Sequence, residues 1–227
     1  MAPEAAHTVF LFDVDNTLLD NDAVQADLGA YLQREFGLVR RERYWVIFEE
    51  LRAQLGYADY LGALQRLRLE NPDEQGLLLA AGFMLDYPFA ERLYPGALAA
   101  LARCAELGTS VILSDGDAVC QPRKLQRSGL WDAVQGRVLI YVHKEQMLAA
   151  VERRYPARHY VMVDDKLRIL AALKAAWGAR VTTIFPRQGH FALDPAIVAP
   201  YTGADLALGS IGELAACELG MLPSAAA

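Results

Sequence analysis

The chain carries a short apolar run that ends abruptly in two carboxylates one residue apart. Residues 9–12 are apolar enough for a buried strand, and Asp13 and Asp15 follow directly. Crowding or burying two carboxylates raises their free energy through desolvation and mutual repulsion. Such a pair at the end of a buried strand therefore indicates a divalent cation, proton-transfer chemistry, or both.

Apolar runs of strand length recur along the chain and are separated by helix-like segments. They span residues 8–12, 110–113, 137–142, 160–163 and 180–185. This β–α alternation predicts an α/β fold with a Rossmann-like parallel sheet flanked by helices. Residues 206–208 are expected to add a short edge strand, and residues 210–219 a last helix.

The segment after the first predicted strand has a different pattern. Between residues 21 and 93, apolar residues recur at helical spacing and no strand pattern appears, with Asp22 as the expected N-cap of the first helix. We therefore predict two domains: a core formed by residues 1–20 and 94–227, and an inserted all-helical domain formed by residues 21–93.

Composition restricts the class of protein further. The 227 residues, 54% of them apolar, suffice for one ordinary domain and a smaller insert. No apolar stretch is long enough for a membrane span and no signal peptide is apparent, so we expect a cytoplasmic protein without a membrane partner. The formal charge of −6 argues against nucleic acid as a partner, and the oligomeric state is not predicted.

Four short motifs occur in an order that resembles the haloacid dehalogenase-like (HAD) hydrolase superfamily. Asp13-Val14-Asp15-Asn16-Thr17 resembles the first motif, Asp-x-Asp-x-Thr. Ser114-Asp115-Gly116-Asp117 resembles the second, Lys144 the third, and Asp164-Asp165 the fourth. With the flanking elements the resemblance covers nearly the whole chain, and it identifies the helical insert as a cap domain.

The resemblance implies catalytic roles for three residues. Asp13 would be the nucleophile that attacks phosphorus and forms an aspartyl-phosphate. Asp15 would donate a proton to the leaving alcohol and later accept one from water. Lys144 would neutralise the nucleophile and a phosphate oxygen, with Lys124 and Lys166 as alternatives for that lysine.

The resemblance also implies a phosphate site and a metal site. Ser114 and the backbone N–H groups of Asp115 and Gly116 would hold the phosphate. Mg²⁺ would be bound by four acidic residues: Asp13, Asp15, Asp165 and Asp164. Asp165 is favoured as a direct ligand and Asp164 as its supporting partner, since hard oxygen ligands suit this cation.

These roles predict a magnesium-dependent phosphatase acting on a small phosphorylated metabolite. A dehalogenase is less expected, because halide-displacing relatives generally lack a carboxylate at the position of Asp15. A phosphomutase acting on a sugar phosphate and a non-catalytic phosphate-binding protein remain alternatives. Four residues of the insert are candidates for contact with the leaving group: Arg43, Tyr44, Trp45 and Arg52. The segment 187–190 has no assigned role.

Overall fold

The computed structural model of the chain describes residues 6–217, and its centre is one six-stranded parallel sheet. The strands are β1 (Ala6–Phe12), β2 (Thr109–Asp115), β3 (Val138–Tyr141), β4 (Ala157–Val163), β5 (Val181–Pro186) and β6 (Leu206–Leu208). Their order across the sheet is β3-β2-β1-β4-β5-β6. All five predicted apolar runs and the short edge strand are thus confirmed as strands.

The central strands are apolar on both faces because helices cover the sheet on both sides. Phe10 and Phe12 pack into one core cluster, whereas Val9 and Leu11 pack into the other. This alternation follows from the two-residue period of a strand. The α/β class, with a parallel sheet flanked by helices, is therefore confirmed.

Ten α-helices and four short 3₁₀ turns lie within the described residues. The helices are α1 (Asn21–Leu55), α2 (Tyr60–Glu70), α3 (Leu77–Asp86), α4 (Ala97–Leu107), α5 (Cys120–Ser128), α6 (Leu130–Ala133), α7 (Leu148–Arg154), α8 (Leu167–Trp177), α9 (Gly189–Leu193) and α10 (Pro195–Val198). The 3₁₀ turns are Phe89–Arg92, Lys144–Gln146, Gly178–Arg180 and Ile211–Ala216.

Helices α1 to α3 lie between β1 and β2 in the chain, and they enclose a hydrophobic cluster of their own. Gly37, with φ 83° and ψ 166°, breaks α1 into two arms. The first arm is capped by Asp20, whose side chain accepts from the Ala23 amide, so the expectation that Asp22 is the N-cap was wrong. The division into core and cap domains at residues 20 and 94 stays a prediction.

The C-terminal part of the described chain is less regular than predicted. The expected helix over residues 210–219 is a 3₁₀ segment, Ile211–Ala216, and residues 218 and 219 lie outside the described residues. Among the described residues, no helix combines the length and the apolar character needed to cross a membrane.

Sheet order decides which strand ends meet. β1 pairs with β2 on one side and with β4 on the other, in parallel register. The carboxyl ends of these three strands therefore lie side by side where the connections diverge, which is the usual ligand crevice of an open parallel sheet.

Candidate active site

The residues that follow β1, β2 and β4 form one buried group. Asp13 comes directly after β1, and its amide donates to the Val163 carbonyl at the end of β4, at 2.9 Å. Asp164 and Asp165 follow that strand and are fully buried. Ser114 and Asp115 end β2 on the other side of Asp13. The first, second and fourth motifs thus converge.

Lys144 is the lysine in contact with Asp13. Its Nζ lies 2.5 Å from Asp13 Oδ1 and 2.7 Å from Asp164 Oδ2, and the side chain is completely buried. Burial alone would lower the pKa of Lys144, but the surrounding carboxylates, Asp13 foremost, raise it well above its usual value. Lys144 is therefore a permanent ammonium group at the centre of the site.

Asp13, Asp164 and Asp165 form an acidic cluster with the geometry of a cation site. One carboxylate oxygen from each lies within 4.8 Å of the other two. Both oxygens of Asp165 are buried without a hydrogen-bond partner in the described structure. A buried, unpaired carboxylate is costly unless a charge compensates it, so the donor set fits a hard divalent cation such as Mg²⁺.

The three carboxyl groups of the acidic cluster differ in the direction of their pKa shifts. Burial acts to raise the pKa of Asp13, but Lys144 and Lys166 outweigh it and hold that pKa below the ordinary value. Burial raises the pKa of Asp164 and of Asp165 instead. Of the three carboxyl groups, Asp13 is thus the one whose ionised form the neighbouring lysines favour, which suits its expected role as the nucleophile.

Thr17 connects Asp13 to the fourth motif. Its hydroxyl donates to Asp13 Oδ2 at 3.2 Å and accepts from the Asp165 amide at 3.0 Å. Because Thr17 is fully buried, these bonds fix the orientation of the Asp13 carboxylate relative to β4.

Asp15 lies apart from the acidic cluster, and its carboxylate is bound by Lys124. Lys124 Nζ lies 2.5 Å from Asp15 Oδ1 and 2.9 Å from the side-chain oxygen of Asn21, the first residue of α1. The structure therefore does not bring the Asp15 side chain to the three clustered carboxylates, in contrast to its expected place among the metal ligands. The Asp15 side chain lines a cavity instead.

The second motif is only partly arranged as expected. The Ser114 hydroxyl is buried and accepts from Gln121 Nε2 at 2.9 Å. Asp115 Oδ1 accepts from the Lys144 amide at 2.8 Å, so this carboxylate orients the third motif. The Gly116 amide donates to the Tyr141 carbonyl at 2.9 Å. That N–H is engaged in the sheet and does not serve a phosphate, contrary to expectation.

Asp117, which also belongs to the second motif, caps the next helix. Its Oδ1 accepts from the amides of Val119 and Cys120, each at 2.7 Å. The neighbouring cations of α5 bind other carboxylates: Arg123 pairs with Asp86 and Lys124 with Asp15. Such an acidic cap at the start of a helix is favourable because it satisfies amides that have no helical partner.

A cavity of about 720 Å³ lies between the sheet end and helices α1 to α3. Asp15, Asp115 and Lys166 line it on the sheet side. Of the four insert residues expected near a leaving group, Arg52 lines the cavity, whereas Tyr44 is fully buried in the core of the insert. Arg43 pairs with Glu70 on the surface at 2.6 Å, and Trp45 packs edge-on against Tyr44.

The segment 187–190 ties the loop after Asp13 to the start of α1. The Gln188 side chain donates to the Thr17 carbonyl at 2.7 Å, and His190 Nδ1 lies 2.6 Å from Asp22 Oδ1. Asn16 adopts a left-handed conformation, φ 63°, and its side-chain oxygen accepts from the Asn21 and Asp22 amides. The loop that carries the first motif is thus held from two sides.

Sequence reasoning missed the roles of Lys124 and Gln121, which contact Asp15 and Ser114 respectively. Both lie on α5, three residues apart, and hence on one face of that helix. The three-residue spacing of this glutamine and lysine after the second motif was available in the sequence, whereas their burial was not.

Comparison with known proteins agrees with this geometry. Residues 7–176 match the family of haloacid dehalogenase-like hydrolases. A haloacid dehalogenase-like hydrolase of Burkholderia xenovorans LB400 is 62% identical and has a TM-score of 0.90, with 96% of this chain and 99% of that one covered. No match was found among curated proteins.

More distant structures share the fold. An L-2-haloacid dehalogenase of Xanthobacter autotrophicus, with chloropropionic acid covalently bound, is 21% identical with a TM-score of 0.59, covering 95% of this chain and 99% of that one. A HAD hydrolase of Bacillus subtilis bound to magnesium is 17% identical with a TM-score of 0.62, covering 92% and 96%. From the family match and the 62% identity over nearly the full length, we conclude that the chain belongs to the haloacid dehalogenase-like hydrolases.

Proposed function

We propose that this hydrolase is a magnesium-dependent phosphatase that cleaves a small phosphomonoester through an aspartyl-phosphate. The observation that carries the proposal is the division of carboxylates into two groups. Asp13 belongs to a buried acidic cluster with Lys144, while Asp15 stands two residues away and faces the cavity. One group suits attack on phosphorus beside a cation, and the other suits proton transfer to a leaving group.

In the first step, a carboxylate oxygen of Asp13 forms a bond to phosphorus and the bond to the ester oxygen breaks. The leaving alcohol takes a proton from Asp15, so no free alkoxide is released. Lys144 offsets the negative charge that gathers around the transferring group. Asp13, Asp164 and Asp165 would hold Mg²⁺, which when bound supplies further compensation of that charge.

In the second step, water replaces the alcohol and the aspartyl-phosphate is hydrolysed. Asp15 removes a proton from the water as its oxygen bonds to phosphorus, and the bond to the Asp13 carboxylate breaks. The ammonium of Lys124 lies on Asp15 Oδ1, which leaves Oδ2 to face the substrate or the water. Lys124 therefore orients the acid–base residue for both steps.

Dehalogenation is the alternative that the family and the more distant neighbours suggest. Displacement of a halide needs neither an acid for the leaving group nor a cation at the nucleophile. It would give no role to Asp15 and would leave both oxygens of Asp165 buried without a partner. The likeness to the L-2-haloacid dehalogenases lies at 16–21% identity and speaks for the fold alone.

A phosphomutase would use the same aspartyl-phosphate and would differ in the group that accepts the phosphoryl group. The phosphoryl group would pass to a second hydroxyl of a sugar phosphate instead of to water, which requires water to be kept out of the site. Release of inorganic phosphate distinguishes the two outcomes directly.

The test measures inorganic phosphate released from a panel of phosphomonoesters with and without Mg²⁺, and chloride released from L-2-chloropropionate. We expect phosphate release that requires Mg²⁺ and is abolished in Asp13→Asn, because the amide has nearly the same shape but is a poor nucleophile. Chloride release without Mg²⁺ would overturn the proposal in favour of a dehalogenase. Conversion of one sugar phosphate into its isomer without phosphate release would favour a mutase.

A further inference from the structure

We propose that the leaving group of the substrate is an apolar alcohol with a ring-sized body, and not a sugar or a nucleoside. This inference rests on the proposed phosphatase function and specifies its substrate class. Its basis is the part of the cavity next to Asp15, where helices α1, α2 and α3, the residue after α3 and the turn Phe89–Arg92 supply aromatic rings.

Chemistry fixes where the leaving group must lie. The ester oxygen has to meet Asp15, so the body of the alcohol extends from Asp15 into the cavity. The side chain that adjoins Asp15 there is Lys124, and its ammonium lies 6.0 Å from the centre of the Phe89 ring. The aromatic surface therefore begins directly behind the acid–base residue.

Five aromatic side chains line this part of the cavity, and we call them the aromatic wall: Phe48, Tyr60, Phe83, Tyr87 and Phe89. Most are linked by ring contacts, with centroids 5.1 Å apart for Tyr87 and Phe89, 5.6 Å for Phe83 and Tyr87, and 4.8 Å for Phe48 and Tyr60. Val24, Leu28 and Met84 line the same cavity and add aliphatic surface. Phe48, Tyr87 and Phe89 are nearly buried, so an apolar body placed here removes from water mainly its own apolar area and that of the half-buried Tyr60 and Phe83.

The polar side chains between Asp15 and the aromatic wall are already bonded to one another. Asn21 accepts from Lys124 at 2.9 Å, and Gln25 donates to the Tyr60 hydroxyl at 2.9 Å. A sugar in this place would exchange its hydrogen bonds to water for aromatic faces, which is unfavourable for each buried hydroxyl. An apolar alcohol loses nothing in the same exchange.

Other charged side chains also line the cavity, and most of them have partners of their own. Arg52 and Glu49 are exposed and form an ion pair of their own at 3.5 Å, and Arg168 pairs with Glu145 at 2.6 Å. The cavity, at about 720 Å³, falls in the range of sites that enclose small organic ligands, about 300–1,000 Å³. A ring-sized alcohol fits with room for the phosphate.

The test compares cyclohexylmethyl phosphate with glucose 6-phosphate. Both carry the phosphate on a primary carbon attached to a six-membered ring, so they differ mainly in the ring hydroxyls. We expect kcat/KM to favour the apolar ester by about 100-fold or more. Equal values, or a preference for the sugar, would overturn the inference while the phosphatase function stands.

Binding to the Asp13→Asn protein in the presence of Mg²⁺, measured by titration calorimetry, separates this inference from the proposed function. Tighter binding of the apolar ester supports the substrate class even if the wild-type protein hydrolyses neither ester, in which case the phosphatase function fails alone. Equal binding of the two esters, tighter binding of the sugar, or no binding of either overturns the inference.

A pair of matched variants assigns the preference to the aromatic wall. Phe83 and Phe36 both pack on the Tyr31 ring, at 4.3 and 6.1 Å, but Phe36 does not line the cavity. We expect Phe83→Leu to reduce the apolar-to-sugar preference by about 10-fold, and Phe36→Leu to leave it unchanged. An unchanged preference in Phe83→Leu, or an equal loss in both variants, would contradict the role of the aromatic wall.

Discussion

At the scale of single residues, the site is organised by an imbalance of buried charge. Three carboxylates, Asp13, Asp164 and Asp165, face two lysines, Lys144 and Lys166. Lys144 contacts Asp13 and Asp164 directly, and Lys166 lowers the pKa of Asp13 from a greater distance. The carboxylate left without a partner is Asp165, which is where the proposed cation would compensate the charge.

This imbalance predicts that replacing Asp165 raises the stability of the metal-free protein and weakens metal binding. Asp165→Asn removes the free-energy cost of keeping this carboxyl group buried without a partner, whether as an unpaired charge or through uptake of a proton at neutral pH, so the metal-free protein should melt at a higher temperature than the wild type. The same change should weaken Mg²⁺ binding by about 100-fold or more and abolish the rise in melting temperature on adding MgCl₂. Thermal melting with and without MgCl₂ measures both effects, and an unaltered Mg²⁺-dependent rise would remove Asp165 from the metal site.

A second prediction concerns Asp15. Asp15→Asn should lower the rate of phosphate release by about 10²–10⁴-fold, the usual contribution of a positioned acid–base group. Because water is then poorly activated, phosphorylated enzyme should accumulate and be trapped on acid quench. Asp117→Asn is the matched control, since Asp117 also lines the cavity but serves to cap α5 and asparagine can replace it there. Equal losses in the two variants would contradict a specific role of Asp15.

At the residue scale, the sequence indicated which residue types carry the chemistry, but it indicated less well which side chains contact one another. The residue types at the four motifs were evident because each follows an apolar run. That Lys144 and not Lys124 meets Asp13 could not be read from spacing, since both lysines lie far along the chain from the residues they bind. Likewise the Gly116 amide is taken by Tyr141, a bond that depends on where β3 is placed beside β2.

At the scale of elements, the strands are regular because each combines a continuous apolar run with helices on both faces. The buried polar residues of the strands include His159 on β4, whose Nε2 lies 2.9 Å from the Thr182 hydroxyl on β5. Its Nδ1 has no hydrogen-bond partner in the described structure. Burial, together with the nearby charge of Lys174, lowers the pKa of His159 from its usual value.

This buried histidine predicts a pH dependence of stability with a definite sign. Because the folded pKa lies below the unfolded value of about 6.5, the unfolded state takes up the proton first as the pH falls. The contribution of neutral His159 to the free energy of unfolding is present above about pH 6.5 and is lost as the pH falls through the folded pKa. The free energy of unfolding should therefore drop more between pH 7.5 and 5.5 in the wild type than in His159→Gln. Denaturant unfolding of both at the two pH values tests this, and parallel pH profiles would contradict it.

At the scale of the whole molecule, the helices inserted after β1 reach back to the loop that carries Lys144. Gly56 ends α1 in a left-handed conformation, φ 79°, and a Cβ there would lie 2.7 Å from His143 Nε2. Since His143 precedes Lys144, this contact joins the helical region to the third motif. Both Gly56 and His143 line the cavity.

The contact predicts that Gly56→Ala alters function as well as stability. We expect a loss of about 1–2 kcal/mol from the left-handed backbone and a rise in KM, because the His143 ring must move from the cavity edge. Gly129→Ala is the matched control: Gly129 has φ 79° and ψ −2°, and no atom lies within 4 Å of its added Cβ. Unfolding and steady-state kinetics of both variants, with Gly56→Ala/His143→Ala as a third, measure the two effects. An equal KM in Gly56→Ala and Gly129→Ala would contradict the proposed contact.

By itself the sequence determined the local elements and the chemistry they carry. Strand runs, helical periodicity and the residue types at strand ends depend on neighbours a few positions away, so they are legible without a structure. Only the tertiary structure decided which groups meet, since Lys144 and Asp13 are 131 residues apart and Lys124 and Asp15 are 109 apart. Those contacts depend on the order β3-β2-β1-β4 and on the packing of α5. The order of strands brought the three carboxylates together, and burial left Asp165 without a partner.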